Sequence, residues 1–316
     1  MEKKSEQNIK IINRKKKRML FYSAVLALPI LQYLIFYVYV NFNTILLAFQ
    51  SYKPSSSGIG YEIGFAKFDN FISVINRLGS DGNISMFWNS LLVYAVTLLV
   101  GTTLVLFFSY YIYKKYFMSK LFQVFLFLPQ VLSSVVLALL FKYMVTDGYI
   151  ALTGSKMGLL DMADTRMVTL LFFLVWSSFG ANILIYSGSM SGINESVVES
   201  AQLDGVNTLQ EFWYITFPMI FPTFITFFVS GISGIFSQQL NLYTIYENNS
   251  PINTVGYYLY VQSVHSGLIP QVNTASNTTY LSYSEIAAFG IMITIVVVPI
   301  TLFVRKIMNK YGPNPN

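Results

Sequence analysis

The sequence predicts an all-α, polytopic membrane protein with six transmembrane helices. Three observations predict it. Only 11% of the 316 residues are charged and 54% are hydrophobic, whereas a soluble domain carries about 25% charge. Six apolar stretches reach the length of about 20 residues that crosses a hydrocarbon core. Most of the Lys and Arg residues, finally, fall on one side of the alternating segments that join these stretches.

The stretches cover approximately 19–42, 87–112, 120–144, 167–190, 218–240 and 285–304. The first follows a basic segment, residues 1–18, that holds Lys3, Lys4, Lys10, Arg14, Lys15, Lys16, Lys17 and Arg18. It is longer than the about 7–15 apolar residues of a signal peptide and no small-residue cleavage site follows it, so it is expected to be retained. With residues 1–18 in the cytoplasm, Lys114, Lys115, Lys120, Arg305, Lys306 and Lys310 also lie inside. Lys53, Lys67, Arg77, Lys142, Lys156 and Arg166 are then outside or at outer span ends. The positive-inside bias places both termini in the cytoplasm, including a tail at 305–316. A basic arm can meet nucleic acid. One that abuts an apolar run reads as a membrane anchor, so lipid is the expected partner and nucleic acid is not.

Pro29, Pro129, Pro218, Pro222 and Pro299 sit within or at the mouths of spans. Bilayer helices tolerate proline where neighbours re-satisfy the freed carbonyls, so these residues predict a packed bundle. Gly188 and Gly192 read as a helix contact or a turn. The outside segments, roughly 50–86, 145–166 and 241–284, read as substantial loops. His265 reads as an exposed loop histidine, and Glu285 as an interface carboxylate rather than a proton relay. Asn277-Thr278-Thr279 fits the N-glycosylation triplet, which matters only in a secretory pathway.

Composition excludes several chemistries. The chain has no cysteine, so it forms no disulfide, zinc-thiolate site or cysteine nucleophile. Its single histidine rules out a His-pair metal site. No catalytic residue and no metal ligand is assigned. A phosphate-cradling loop needs G-x-x-x-x-G-K-[ST]. The nearest string, Gly148 to Lys156, has the wrong spacing and lies outside. Any energy source is therefore a partner.

One inside segment departs from the charge trend. The loop 191–217, between the fourth and fifth stretches, carries Glu195, Glu199, Asp204 and Glu211 and no Lys or Arg. Ser196 with Glu199, and Thr208 with Glu211, fit capping boxes. Gly205 stands between them, where a helix end favours positive φ. Two short helices with a glycine corner are expected. Their apolar residues, Val197, Ala201, Val206, Leu209, Phe212, Trp213 and Ile215, cover more surface than so short a loop buries alone. A helix lying flat on anionic lipid would carry Lys or Arg on its polar face. This one is acidic, which favours docking in a groove of a cytoplasmic protein.

The string Glu199-Ser-Ala-x-x-Asp204-Gly205-Val, then Phe212-x-x-Ile215-x-Phe217-Pro218-x-x-x-Pro222, resembles the EAA motif of ABC importer permeases. Ser200 and Phe217 stand where that family usually has Ala and Leu. Phe68-Asp69-Asn70-Phe71, Phe127-Leu128-Pro129 and Leu240-Asn241-Leu242-Tyr243 are similar to runs in its carbohydrate members of the maltose and glycerol-phosphate type. Glu247-Asn248-Asn249-Ser250-Pro251 departs from their glycine-rich run. The resemblance implies a type I importer core at 19–304 and a bacterial plasma membrane. It implies two ABC ATPase subunits that hold ATP and Mg, a second and unlike permease subunit, and an extracellular solute-binding lipoprotein. No cofactor is expected on this chain. Coupling falls to Glu199, Ala201, Asp204, Gly205, Val206, Phe212 and Pro218.

Polar residues inside spans tend to face a cavity. Asn182, Tyr186, Ser233, Ser237, Gln238 and Gln239 are candidates for the pathway. Sugars are met by amides, hydroxyls and aromatic platforms, so Gln238 with Tyr243 or Trp176 suits an oligosaccharide; the alternative is that these groups bond neighbouring helices. An ABC permease for a non-sugar solute is one rival reading. An ion-coupled transporter is another, though it would show internal repeats and charged or unwound mid-span sites, and none is evident.

Overall fold

The computed structural model describes residues 2–55, 60–80, 84–273 and 278–313; Asn277 of the glycosylation triplet lies outside them. Most of the described backbone is helical. Five helices are long and apolar enough to cross a membrane: α1 (Lys15–Leu47), α3 (Ile84–Tyr113), α5 (Ser134–Thr153), α9 (Thr208–Gly234) and α12 (Tyr283–Tyr311). Among the described residues a further pair, α6 (Arg166–Ser177) and α7 (Phe179–Ser191), bent by 43° at the break between them, reaches that length and apolarity only when taken together.

The third expected span, 120–144, is not one helix. It divides into α4 (Ser119–Val131) and α5, because Leu132 is extended at φ −83°, ψ 148°. Pro129 removes one helix bond and Ser133-Ser134 follows at once, and both features promote breaks. The break lies beside the bend between α6 and α7. Gln130 donates to the Ser177 carbonyl at 2.7 Å, which satisfies a group that the bend frees. Gly180 lets α4 approach here, since a Cβ would fall on the Gln130 side chain.

Two of the three segments expected outside, 50–86 and 241–284, hold regular elements, whereas residues 154–165 of the third form the expected loop. After α1 come an antiparallel hairpin, β1 (Gln50–Pro54) with β2 (Tyr61–Phe65), in the register Gln50 to Phe65, and α2 (Asp69–Ser80). Asn70 donates to the carbonyls of Ala48 and Gln50 at 2.8 and 2.9 Å, which fixes how the chain leaves α1. After α9 the chain turns sharply through Leu240 and Asn241, both left-handed at φ 59° and 56°. It then forms α10 (Leu242–Tyr246), α11 (Val255–His265) and a hairpin of β3 (Gln271–Asn273) with β4 (Thr278–Tyr280). His265 accordingly ends a helix. It is half-buried, stacks on Tyr280 at 4.7 Å and shares a 3.0 Å hydrogen bond with Asn248.

Two apolar clusters hold the bundle. The inner one joins α3, α7 and α9 through Val105, Ile183, Met190 and Ile220. The outer one joins α5, α6, α10 and α11 through Phe141, Leu170, Phe173, Ile245 and Tyr257. Within hydrocarbon this packing is stabilised by van der Waals contact and hydrogen bonds rather than by release of water. The Tyr246 hydroxyl donates to the Leu160 carbonyl at 3.1 Å. Burial pushes that phenol up to about 12. Helix α1 stands apart. Residues 15–46 are exposed, and its outer end meets the bundle where Leu47 and Ala48 pack with Ala287, Ala288 and Ile291 of α12.

Glu285 is buried, not merely interfacial, at 5% exposure. It forms a capping box with Ser282 at the start of α12, accepts from Ser73 of α2, and lies 3.7 Å from Arg77. Glu285→Ala removes the cap, the acceptor of Ser73 and the ionic contact with Arg77, which keeps its hydrogen bond to the Thr279 carbonyl. It is expected to cost about 1–3 kcal/mol, with faster amide exchange in the first turn of α12 and in α2. Glu285→Gln, which keeps a carbonyl acceptor, is expected to cost less.

Candidate functional site

The inside loop folds as helix α8 (Glu195–Leu203), a corner at Gly205, and the first turn of α9. Gly205 adopts φ +78°, and a Cβ there would meet nothing within 4 Å. The corner therefore needs glycine for backbone reasons, and a longer side chain would project outward from the stub. The caps differ from the Ser196 and Thr208 boxes. Asn194 caps α8 by accepting from the Ser196 N–H at 3.1 Å. Asn207 forms a reciprocal box with Gln210, at 2.9 and 3.0 Å. Asparagine is as good an N-cap as serine and better than threonine, so each helix begins at the asparagine that precedes the expected cap.

The second short helix is also not separate. It runs into the fifth span through a π-turn at Phe212–Thr216, immediately before Pro218. In an α-helix the Pro218 ring would press on the carbonyl four residues earlier. The wider turn shifts that register, and stub and span become one rod.

This rod is fixed to the end of α3. Lys114 Nζ lies 2.8 Å from Glu211 Oε2 in a hydrogen bond and 2.7 Å from Oε1 as an ionic contact. The two side chains are 15% and 3% exposed. Tyr110 donates to the Thr208 carbonyl at 3.1 Å, and its ring meets Phe212 edge to face at 5.1 Å. Of the seven coupling candidates, Ala201 is buried and Val206, Phe212 and Pro218 are half-buried, while Glu199, Asp204 and Gly205 are exposed. Around these last three, Leu203, Leu209 and Tyr214 are 89%, 69% and 79% exposed. The stub thus presents carboxylates and bare apolar side chains together.

At the other end of the rod lies a cavity of about 350 Å³ between α3, α7 and α9. Asn182, Tyr186 and Gln238 line it, with Ser90, Tyr94 and Ser230 and a wall of Phe224, Phe227 and Phe228. The Tyr186 hydroxyl is buried without a partner. No lining residue is charged. Trp176, Gln239 and Tyr243 do not line it: Trp176 packs between the two apolar clusters, and Tyr243 packs edge to face on Tyr260 at 4.9 Å. Ser233 and Ser237 are likewise absent from its wall. Gln238 is held from outside, because Gly256 of α11 packs directly on its backbone and a Cβ would fall on its carbonyl. Ser90 accepts from the Val255 N–H at 3.0 Å, tying the start of α11 to the cavity wall. Ser90, Tyr94 and Gly256 carry no distinguishing pattern in the sequence, and Lys114 and Glu211 lie too far apart in the chain to be paired by inspection.

Residues 101–313 match the family model described as the binding-protein-dependent transport system inner membrane component. The chain belongs to that family. The family is a transport permease component rather than an enzyme, and its members are multi-pass membrane proteins. Among the relatives is the arabinooligosaccharides transport system permease protein AraP of Bacillus subtilis, 25% identical over 297 residues, covering 89% of this chain and 86% of that one. Another is the multiple sugar-binding transport system permease protein MsmF of Streptococcus mutans, 23% identical over 66% of this chain and 72% of its own. A bacterial ABC transporter involved in import of the acidic polysaccharide alginate contains a chain with the same fold. Its TM-score is 0.71 at 20% identity, covering 95% of this chain and 98% of that one. The same transporter in complex with an alginate pentasaccharide-bound periplasmic protein matches at a TM-score of 0.68 and 20% identity, covering 95% of this chain and 97% of that one.

Breaking a buried ion pair strands one charge, at a cost of about 3–5 kcal/mol, whereas replacing both partners by apolar residues can be neutral. Lys114→Met is expected to destabilise the protein by that amount in SDS titration of mixed micelles, and Lys114→Met with Glu211→Met is expected to recover most of it.

Proposed function

We propose that this chain is the translocation subunit of an ATP-driven importer for a neutral carbohydrate, an oligosaccharide in its natural use. The observation that carries the reading is the rod α9, which joins an exposed acidic stub at one end to an uncharged cavity at the other. Two ABC ATPase subunits, holding ATP and Mg, grip the stub around Glu199, Asp204 and Gly205. A second, unlike permease subunit completes the pathway, and an extracellular solute-binding lipoprotein delivers the sugar. Both termini are cytoplasmic, in keeping with the lysines and arginines at 1–18, 114–120 and 305–310.

The relatives named for arabinooligosaccharides and multiple sugars support the substrate class. The cavity supports it independently. Hydroxyls and amides from Ser90, Tyr94, Asn182, Tyr186 and Gln238 face phenylalanine rings across a space of about 350 Å³, within the range of small-molecule sites. A neutral sugar satisfies such donors and acceptors, while an acidic one would enter without a cation from this chain to meet it.

ATP-driven closure moves the bundle only through contacts that differ between the two states. Closure of the ATPase pair displaces the stub. The stub carries α9 with it, and α9 carries the cavity wall at Phe224, Ser230 and Gly234. Glu211 and Lys114 keep the end of α3 in step.

Three outcomes test the reading. Gly205→Asp is expected to leave the protein in the membrane, with ATP hydrolysis by the co-purifying subunits persisting while uptake is lost; normal uptake by that variant would overturn the docking assignment. Gln238→Ala removes one hydrogen bond of about 1 kcal/mol and should raise the half-saturating sugar concentration for transport by about fivefold. Uptake should stop on ATP depletion and survive dissipation of the ion gradient.

A further inference from the structure

Helix α2 has three faces. Its inner face, Phe71, Val74 and Leu78, packs on the bundle, with Val74 1% exposed. Its polar face carries Asp69, Ser73, Asn76 and Arg77, and Ser73 and Arg77 reach Glu285. The third face is apolar and bare. Phe68, Ile72 and Ile75, spaced four and three residues apart, are 64%, 54% and 55% exposed. Residues so spaced share one side of a helix. The adjoining hairpin strand adds Ile63 and Phe65, 66% and 75% exposed. Phe65, Phe68 and Phe71 all contact the Phe49 ring, at 6.5, 5.9 and 5.3 Å.

The depth of this stripe can be read from α12. Between Glu285 and Arg305 there is no charged residue. Those intervening residues rise about 28 Å as a helix, which matches a hydrocarbon core of about 30 Å. Glu285 therefore marks the outer boundary of the core. Helix α2 meets α12 at Glu285, and its Phe71 packs on the cluster that holds Ala287 and Ala288, up to about 4.5 Å deeper. It lies along the membrane boundary. Both chain connections agree, since α1 ends at Leu47 and α3 begins at Ile84, with Trp88 70% exposed in its first turns, a residue favoured at that boundary.

We propose that α2 and the β1–β2 hairpin form an interfacial anchor, with Phe65, Phe68, Ile72 and Ile75 inserted among phospholipid acyl chains of the outer leaflet. The anchor holds Ser73 and Arg77 against Glu285 and so ties the outer end of span six to the bilayer surface. Because the chain has no cysteine, single nitroxide labels test this directly. Ile75→Cys and Asp69→Cys, both at exposed positions and on different sides of α2, are labelled in the full-length protein with its co-purifying subunits. The labelled protein is placed in phosphatidylethanolamine/phosphatidylglycerol nanodiscs, and the unsubstituted preparation gives the background. The label at 75 is expected to collide preferentially with oxygen, at about 5–10 Å below the headgroups. The label at 69 is expected to collide preferentially with an aqueous nickel chelate. Equal access of the chelate to both positions would place the stripe in water and overturn the proposal. Shielding of position 75 from both probes would also overturn it, by showing that protein covers the stripe.

Discussion

At one edge of the bundle, where α3 ends and α9 begins, a lysine and a glutamate are held almost out of water, 2.7 Å apart. Taking two charges from water is costly, and only close geometry offsets it. Here the geometry is supplied by two elements that must not move independently, the end of α3 and the beginning of α9. Tyr110 adds a hydrogen bond and an aromatic contact to the same joint. Everything that makes the inside stub part of the membrane bundle passes through this joint and through the π-turn above it.

The outer half of the molecule is bound by different means. Helix α11 meets the cavity through the bare backbone of Gly256 and through Ser90, and α2 meets span six through Glu285. The cavity is thus braced from the outside by glycine contact and from the inside by the rod α9. Its wall is neutral, whereas the joints above and below it are ionic. Ser90, Tyr94 and Asn182 use hydrogen bonds to hold the wall together, while the Tyr186 hydroxyl is left without a partner.

Much of this was legible in the sequence, and the failures have physical reasons. The acidic loop stood out against the basic inside segments, and Gly205 announced the corner because only glycine adopts that φ without strain. The helix caps were misplaced by one or two residues because Asn, Ser and Thr compete for the same role. The break at Leu132 was hidden because apolar composition is continuous across it. Asn182 and Gln238 were found as polar residues in apolar spans, yet the same criterion also selected Gln239, whose side chain turns elsewhere. Composition records polarity but not rotation about the helix axis. Tyr94 and Ser90 were missed for the same reason, and Lys114 with Glu211 because 97 residues separate them.

The continuity of α9 sets a gearing ratio between the two ends of the transporter. Its 27 residues make a shaft about 40 Å long, pinned near its lower end at Glu211 and ending beside Gly234. Swinging such a shaft by about 5° displaces its far end by about 3.5 Å, more than the radius of a water molecule. If the stub is driven as proposed, small strokes there would be magnified at the far end of the shaft, so long as the π-turn at Phe212–Thr216 does not flex. A hinge in place of that turn would let the stub wag without opening anything.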